Sequence, residues 1–246
     1  MSHTSNNQLS SAVLLELLNS KRFGVEYQPI IELASNDIIG YEALSRFYGA
    51  DGEFLRPDYV YASLHESPIT LFQVEFAQKQ IQLANRPSGL LFVNLDQDAF
   101  FASDAEAHSN PFIQMIRQQG NDSVVVELIE NSELNDAIMS LSMIEAFDAL
   151  GIETALDDLC HPLSMISVSV LQLVSWVKLD KCVLRMKDKP KFMTFVCKMI
   201  QFAKETNKKI VLEGIESEAD LEVAKMLDVD YVQGFLFRSN FINKQA

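Results

Sequence analysis

Hydrophobic positions along the chain switch repeatedly between a period of two and a period of about 3.6 residues, and the switches mark out a regular succession of elements. Residues 9–21 place Leu9, Val13, Leu14, Leu17 and Leu18 at helical spacing and predict an N-terminal helix. Spans 24–33 (GVEYQPIIEL) and 38–47 (IIGYEALSRF) read as strands, with the turn signal Ala34-Ser35-Asn36-Asp37 between them. An antiparallel hairpin is expected there. Helices follow over 57–65 and 69–84. Short apolar runs then alternate with longer amphipathic ones. Strands are expected over 89–95, 123–129, 152–157, 176–179, 209–212 and 230–237. Helices are expected over 132–150, 165–174, 190–206 and 218–227, with a largely helical stretch over 99–119 that loops near Ser109-Asn110-Pro111. The last six strands are joined by connections long enough for right-handed crossovers. A chain of 246 residues alternating in this way predicts an (α/β)8 TIM-like barrel, the opening hairpin making one strand antiparallel to the rest. No low-complexity segment or linker interrupts it. One domain over 1–246 is expected, with 1–22 as its N-terminal helical segment.

Hydrophobic residues make up 48% of the chain, enough for a sizeable core. Lys and Arg number 20 against 34 Asp and Glu, a net charge of −14. That balance argues against a nucleic-acid polymer and against an anionic membrane surface as partners. An anionic small molecule would need local cations or metal ions at its site. Cys160, Cys182 and Cys197 are odd in number and lack CxxC spacing, so they indicate neither a disulfide framework nor a zinc site. Residues 1–11 are polar without an apolar core, and no uninterrupted apolar run approaches membrane-spanning length. A cytoplasmic protein is expected.

In barrels of this kind the chemistry sits at the C-terminal ends of the strands. Polar residues in or just after the expected strands are Glu42, Asn94, Glu127, Asp157 with Asp158, Lys178, Glu213 and Gln233. Any one alone reads as a satisfied core polar group, and the Asp-Asp pair alone as a loop opening or helix cap. Their recurrence on strand after strand points to a shared site. Converging carboxylates repel one another strongly unless cations lie among them. The donors are oxygens, with no histidine or thiolate expected nearby, so Mg2+ or Mn2+ suits the set better than zinc. Two such ions about 3.5–4 Å apart activate a bridging water and clamp a phosphate. Lys178 and Arg46 are the cations left to meet that phosphate.

Glu42-Ala43-Leu44 followed by Ser45-Arg46 resembles the signature of the EAL family, bacterial phosphodiesterases of cyclic di-GMP. The ordered series continues through Tyr27-Gln28-Pro29-Ile30, Val93-Asn94-Leu95, Glu127-Leu128-Ile129-Glu130, Asp157-Asp158, Lys178-Leu179-Asp180, Glu213-Gly214-Ile215-Glu216 and Tyr231-Val232-Gln233-Gly234. The resemblance implies the same barrel with one antiparallel strand, and hydrolysis of cyclic di-GMP to linear pGpG. It implies that Glu42, Asn94, Glu127 and Asp157 hold a first metal ion, with Asp157 bridging to a second that Asp158 shares. Lys178 would polarise the water, Glu213 would act as base or orient it, and Gln233 would complete the network. Arg46 would take a phosphate, Gln28 and Leu44 would line the nucleotide pocket beside Asn94 and Asp158, and Glu130 would steady the loop after the aspartates. A homodimer is among the assemblies it implies.

One loop departs from the pattern. Where the family follows its aspartates with Phe-Gly-x-Gly, this chain has Leu159-Cys160-His161-Pro162, then Leu163-Ser164-Met165. Both glycines are gone, and Pro162 restricts the backbone before it. Two readings follow: an active phosphodiesterase, whose metal and water positions are all filled, or a degenerate domain that binds cyclic di-GMP or a protein partner with little turnover.

Overall fold

The computed structural model describes residues 9–103, 106–120, 123–128, 134–165 and 167–245. Ser10 opens helix α1 (Ser11–Ser20) by accepting a bond from Val13 N–H, and Lys21 ends it in the left-handed conformation. The expected hairpin follows as β1 (Phe23–Glu32) and β2 (Ile38–Tyr48), then a short β3 (Phe54–Leu55). Helices α2 (Pro57–Leu64) and α3 (Pro68–Ala84) both start on proline, whose missing N–H costs nothing in a first turn. The chain continues through β4 (Leu90–Asn94), α4 (Gln97–Phe101), α5 (Pro111–Arg117), β5 (Val124–Leu128) and α6 (Leu134–Asp148). Then come β6 (Thr154–Leu159), α7 (Val168–Leu173), β7 (Trp176–Leu179), α8 (Cys182–Arg185) and α9 (Pro190–Glu205). Last are β8 (Lys209–Leu212), α10 (Glu218–Leu227), β9 (Tyr231–Val232) and β10 (Ile242–Gln245).

Eight strands close a barrel in the order β1-β2-β4-β5-β6-β7-β8-β9 and back to β1. β1 is antiparallel to both neighbours; the remaining barrel pairs are parallel. This is the architecture the alternation predicts. β10 lies outside the ring and pairs with Gly24–Tyr27, while β9 takes Ile31 and Glu32 further along the same strand. No helix among the described residues is long and apolar enough to cross a membrane.

The loop expected near Ser109-Asn110-Pro111 falls where Asn110 caps α5, accepting from Phe112 N–H with Pro111 in the first turn. Two segments differ from expectation. The last barrel strand stops at Val232, and the chain turns through Gly234 into a 3-10 segment, Phe235–Asn240. A Cβ at Gly234 would stand 2.2 Å from Ile215 O, so only glycine permits this close approach. β6 runs on past Asp157 to Leu159, through a bulge described below.

The barrel interior explains where polar residues fall. Ile30, Phe92, Val125, Ala155, Trp176 and Val211 form an apolar layer across the lumen, with Phe92 edge-on to Trp176 at 4.9 Å. Side chains two residues apart on a strand share a face. The next layer toward the strand C-termini is therefore Asn94, Glu127, Asp157, Lys178 and Glu213, one from each of five parallel strands. β1 runs the other way, so Gln28, two residues before Ile30, joins them. Glu42 and Gln233 complete the ring from β2 and the end of β9.

Candidate active site at the barrel mouth

Lys178 stands fully buried at the centre of this polar layer. Its Nζ lies 2.7 Å from Glu213, 2.8 Å from Glu127 and 3.3 Å from both Glu42 and Asp157. Glu42 is held from two further sides: Asn94 Nδ2 donates to Oε1 at 2.9 Å and Gln233 Nε2 donates to Oε2 at 2.7 Å. Seven residues that the sequence singled out thus meet: Glu42, Asn94, Glu127, Asp157, Lys178, Glu213 and Gln233.

One ammonium cannot balance this many carboxylates, and the pKa values of Glu127, Asp157 and Glu213 are raised accordingly. Burial would raise the Glu42 carboxyl, but Lys178 and the bonds from Gln233 and Asn94 together hold it below the usual range. Glu127 is pushed well above that range by burial and by the charge of Glu42. Burial also raises Asp157, against the pull of Lys178. Burial and the charge of Asp157 carry Glu213 up to about 8. For Lys178, burial opposes the charge, yet the surrounding carboxylates keep its pKa well above the ordinary value.

Adjacent residues of a strand normally face opposite ways, yet Asp157 and Asp158 line one cavity with Glu213. A bulge makes this possible. Leu156 pairs with Val177 but Leu159 pairs with Leu179, so β6 carries one extra residue there. Asp158 absorbs it at φ 54°, a conformation aspartate tolerates. Burial and the charges of Asp157 and Asp180 raise the Asp158 carboxyl to about 6. Cys160, in the position of the first family glycine, also keeps a positive φ, 74°. The loop holds this left-handed conformation without the glycine that would relax it. Cys160→Gly relieves strain of about 1–2 kcal/mol but removes a buried thiol worth about 1 kcal/mol. The expected result is a stability within about 1 kcal/mol of wild type. Cys160→Val, β-branched at positive φ, should cost more than about 2 kcal/mol. Urea denaturation of both variants measures this; equal losses would mean the loop is not strained at Cys160.

Two cavities flank the carboxylates. One, of about 270 Å3, is lined by Gln28, Glu42, Asp157, Asp158, Glu213, Gln233 and Phe235, among others. The other, about 470 Å3, is lined by Leu44, Ser45, Arg46, Tyr61, His65, Asn94 and Asp96, among others. Gln28 and Asp158 line the first cavity and Leu44, Arg46 and Asn94 the second, so the residues expected around one nucleotide pocket are divided between two. Arg46 is not free, however. It pairs with Glu26 at 2.6 Å, and Gln28 donates to the same oxygen at 3.0 Å. Glu130 lies outside the described residues.

Sequence reasoning passed over several neighbours. Asp180, Lys181 and Glu216 line the first cavity, and Tyr61, His65, Glu75 and Asp96 the second. Glu75, Gln78, Lys79 and Gln82 form a buried polar stripe on α3, which clamps β2 behind the site. Gln82 donates to Ala43 O and Gln78 to Arg46 O, while Glu75 accepts from Tyr61 OH and Lys79. Their spacing of three and four residues is that of an ordinary polar helix face, so it gave no signal of burial. The expectation that no histidine or thiol stands near the aspartates needs correction: His161, Asp180 and Cys182 cluster beside the loop that follows them.

The donor set fits a hard divalent cation. Glu127 Oε2 and Gln233 Oε1 are buried without a hydrogen-bond partner, as are few oxygens in a folded protein unless an ion or water serves them. Carboxylate oxygens of Asp157, Asp158 and Glu213 come within 4.8 Å of one another. The ring offers oxygens only, the preference of such ions.

Among curated proteins, the chain is 28% identical over 236 residues to the probable cyclic di-GMP phosphodiesterase PdeB of Escherichia coli (strain K12), covering 91% of this chain and 44% of that protein. It spans less than half the length of the curated relatives it matches. Among solved structures, the Bacillus subtilis YkuI protein with an EAL domain, in complex with c-di-GMP and calcium, superposes with a TM-score of 0.76 at 19% identity, covering 91% of this chain and 56% of that one. The PaMucR phosphodiesterase in its c-di-GMP complex gives 0.70 at 21% identity, covering 92% and 94%; MucR is a protein of Pseudomonas aeruginosa. At these identities the structures establish a shared fold. The EAL domain profile matches residues 8–239, nearly the whole chain, and with the barrel and its ordered motifs places this protein in the EAL domain family.

Proposed function

We propose that this chain is a metal-dependent phosphodiesterase that opens one phosphodiester of cyclic di-GMP to give linear pGpG. The observation that supports the reading is the ring around Lys178, where Glu42, Glu127, Asp157 and Glu213 converge within 3.3 Å of one ammonium. Glu42, Asn94, Glu127 and Asp157 would hold one divalent ion, and Asp157 with Asp158 a second, Mg2+ or Mn2+ by donor type. Such ions, when bound, lower the pKa of a water and neutralise charge on phosphate oxygens. Glu213, a carboxylate 2.7 Å from Lys178 in the same cavity as Asp157 and Asp158, suits the proton traffic of the attacking water. Lys178 orients that water while fixing the carboxylates around it, and Gln233 steadies Glu42. Arg46 meets a phosphate, and Gln28 and Leu44 shape the nucleotide pocket. Atoms balance simply: water adds across one P–O bond, its proton going to Glu213 and onward to the departing 3′ oxygen.

The direct test is purified protein with cyclic di-GMP, read by chromatography for pGpG. Chelation should abolish the product and Mg2+ or Mn2+ restore it, whereas Ca2+ should bind and support turnover poorly. Undiminished activity after thorough chelation would sink the metal mechanism.

A second reading rests on the Arg46–Glu26 pair and the glycine-free loop: a domain that holds the nucleotide, or a protein partner, with little turnover. Point variants separate the two. Arg46→Ala should raise KM about tenfold or more with a smaller change in kcat, since a charge-assisted bond is worth about 1.5–3 kcal/mol. Glu26→Gln frees the guanidinium and should lower KM several-fold, by about 1 kcal/mol of lost competition. A KM that Glu26→Gln leaves untouched would show that the ion pair does not compete with substrate.

A further inference from the structure

The loop after the aspartate pair and the loop after β7 are stitched together. Asp180 N–H donates to Leu159 O at 3.0 Å, in the register that the bulge sets. The stitch brings His161 from the first loop against Asp180 and Cys182 from the second. A ring nitrogen of His161, a carboxylate oxygen of Asp180 and Cys182 Sγ all lie within 4.8 Å of one another. Asp180 is buried, and its Oδ1 is fixed by Cys182 N–H at 2.8 Å. The hydrolysis proposed above uses none of these three side chains.

We propose that His161, Asp180 and Cys182 form a binding site for a borderline transition ion, Zn2+ in the first instance, separate from the carboxylate ring. One imidazole nitrogen, one thiolate and one carboxylate are the mixed donors that zinc and cobalt take and that Mg2+ and Ca2+ do not. Metal–ligand bonds of about 2.0–2.3 Å put ligand atoms somewhat under 4 Å apart, so small side-chain rotations close the shell. Three protein ligands leave a fourth position open. On binding, the Cys182 thiol loses its proton to solvent as the sulfur–metal bond forms. The His161 ring gives up the 3.3 Å bond that its Nδ1 accepts from Leu163 N–H in an exposed part of the loop. An ion there ties the two loops together and fixes the backbone on which Asp158 sits.

The experiment uses the full chain, stripped of metal and titrated with Co2+ in excess Mg2+, which occupies the oxygen ligands. One equivalent of Co2+ should bind with thiolate-to-cobalt charge-transfer absorption, a band that oxygen donors cannot give, and one equivalent of Zn2+ should displace it. Cys182→Ser should abolish the band, and His161→Ala should weaken binding about tenfold or more. Cys197→Ser, at an exposed thiol on α9, should leave both unchanged. Circular dichroism checks the fold of each variant. Should Cys182→Ser fail to fold, alkylation of the wild type followed by peptide mapping decides instead: Zn2+ should protect Cys182 and not Cys197. No charge-transfer band in the wild type, a band that survives Cys182→Ser, or alkylation of Cys182 indifferent to Zn2+ would each overturn the assignment. Loss of phosphodiesterase activity is not the readout, so the two proposals stand or fall separately.

Discussion

Glu42→Gln is expected to lower kcat by at least about a hundredfold, the scale on which misplaced reacting groups cost rate, while the barrel stays folded. The glutamine keeps the shape of the side chain but not its acceptors. In the native ring Oε1 accepts from Asn94, and Oε2 accepts from Gln233 and faces Lys178. Whichever way the amide turns, its NH2 meets a donor. A negative charge that would hold the first metal is also gone. Circular dichroism should be unchanged and the metal concentration for half-maximal activity should rise. A variant with wild-type kcat would show that hydrolysis, if present, occurs elsewhere.

Lys178→Met is expected to destabilise the metal-free protein by about 3–5 kcal/mol, the cost of leaving buried charges without their partner. Divalent metal should return much of that loss, because it supplies the missing positive charge to the same carboxylates. The penalty should also depend on pH. Carboxyls with a raised folded pKa lose stability as pH rises from their unfolded value toward the folded one. In the native protein Glu213 spans that window, from 4.5 to about 8. Without Lys178 the window extends upward, so the variant should be nearest to wild type around pH 4.5 and furthest from it above pH 8. Urea unfolding at both pH values, with and without Mg2+, measures this. Hydrolysis should stay low even with metal present, since in the proposed mechanism Lys178 also orients the water. A penalty indifferent to both pH and metal would mean that Lys178 does not balance the ring.

The barrel and its polar ring were legible because period-two runs broken at one level are hard to produce without a lumen. Phe92 and Asn94, or Trp176 and Lys178, are two residues apart, and that spacing alone puts them in successive layers. Other features depend on register, which no single run encodes. The pairing of Arg46 with Glu26 follows from the hairpin alignment that sets Glu26 beside Leu44 and Gly24 beside Arg46. The bulge that turns Asp158 inward, and the meeting of His161 with Cys182, follow from the offset between β6 and β7. The buried stripe of α3 reads in sequence as an ordinary wet face, since Glu, Gln and Lys there have the helical spacing of solvent-exposed residues. Only the neighbouring β2 carbonyls and Tyr61 reveal which way it points.

The closure of the ring through β1 sets an order of events for a growing chain. The pairing of Ile31 with Val232 joins strands from opposite ends of the described sequence. Contacts of such long sequence separation form late and slowly. A nascent polypeptide stopped before Tyr231 would hold seven of the eight barrel strands in an open sheet, with the free edges of β1 and β8 exposed to other chains. Gln233 reaches Glu42 across 191 positions, so the two meet only when that seam shuts. During synthesis the chemistry and the closed topology would arrive together, and an incomplete copy would have neither.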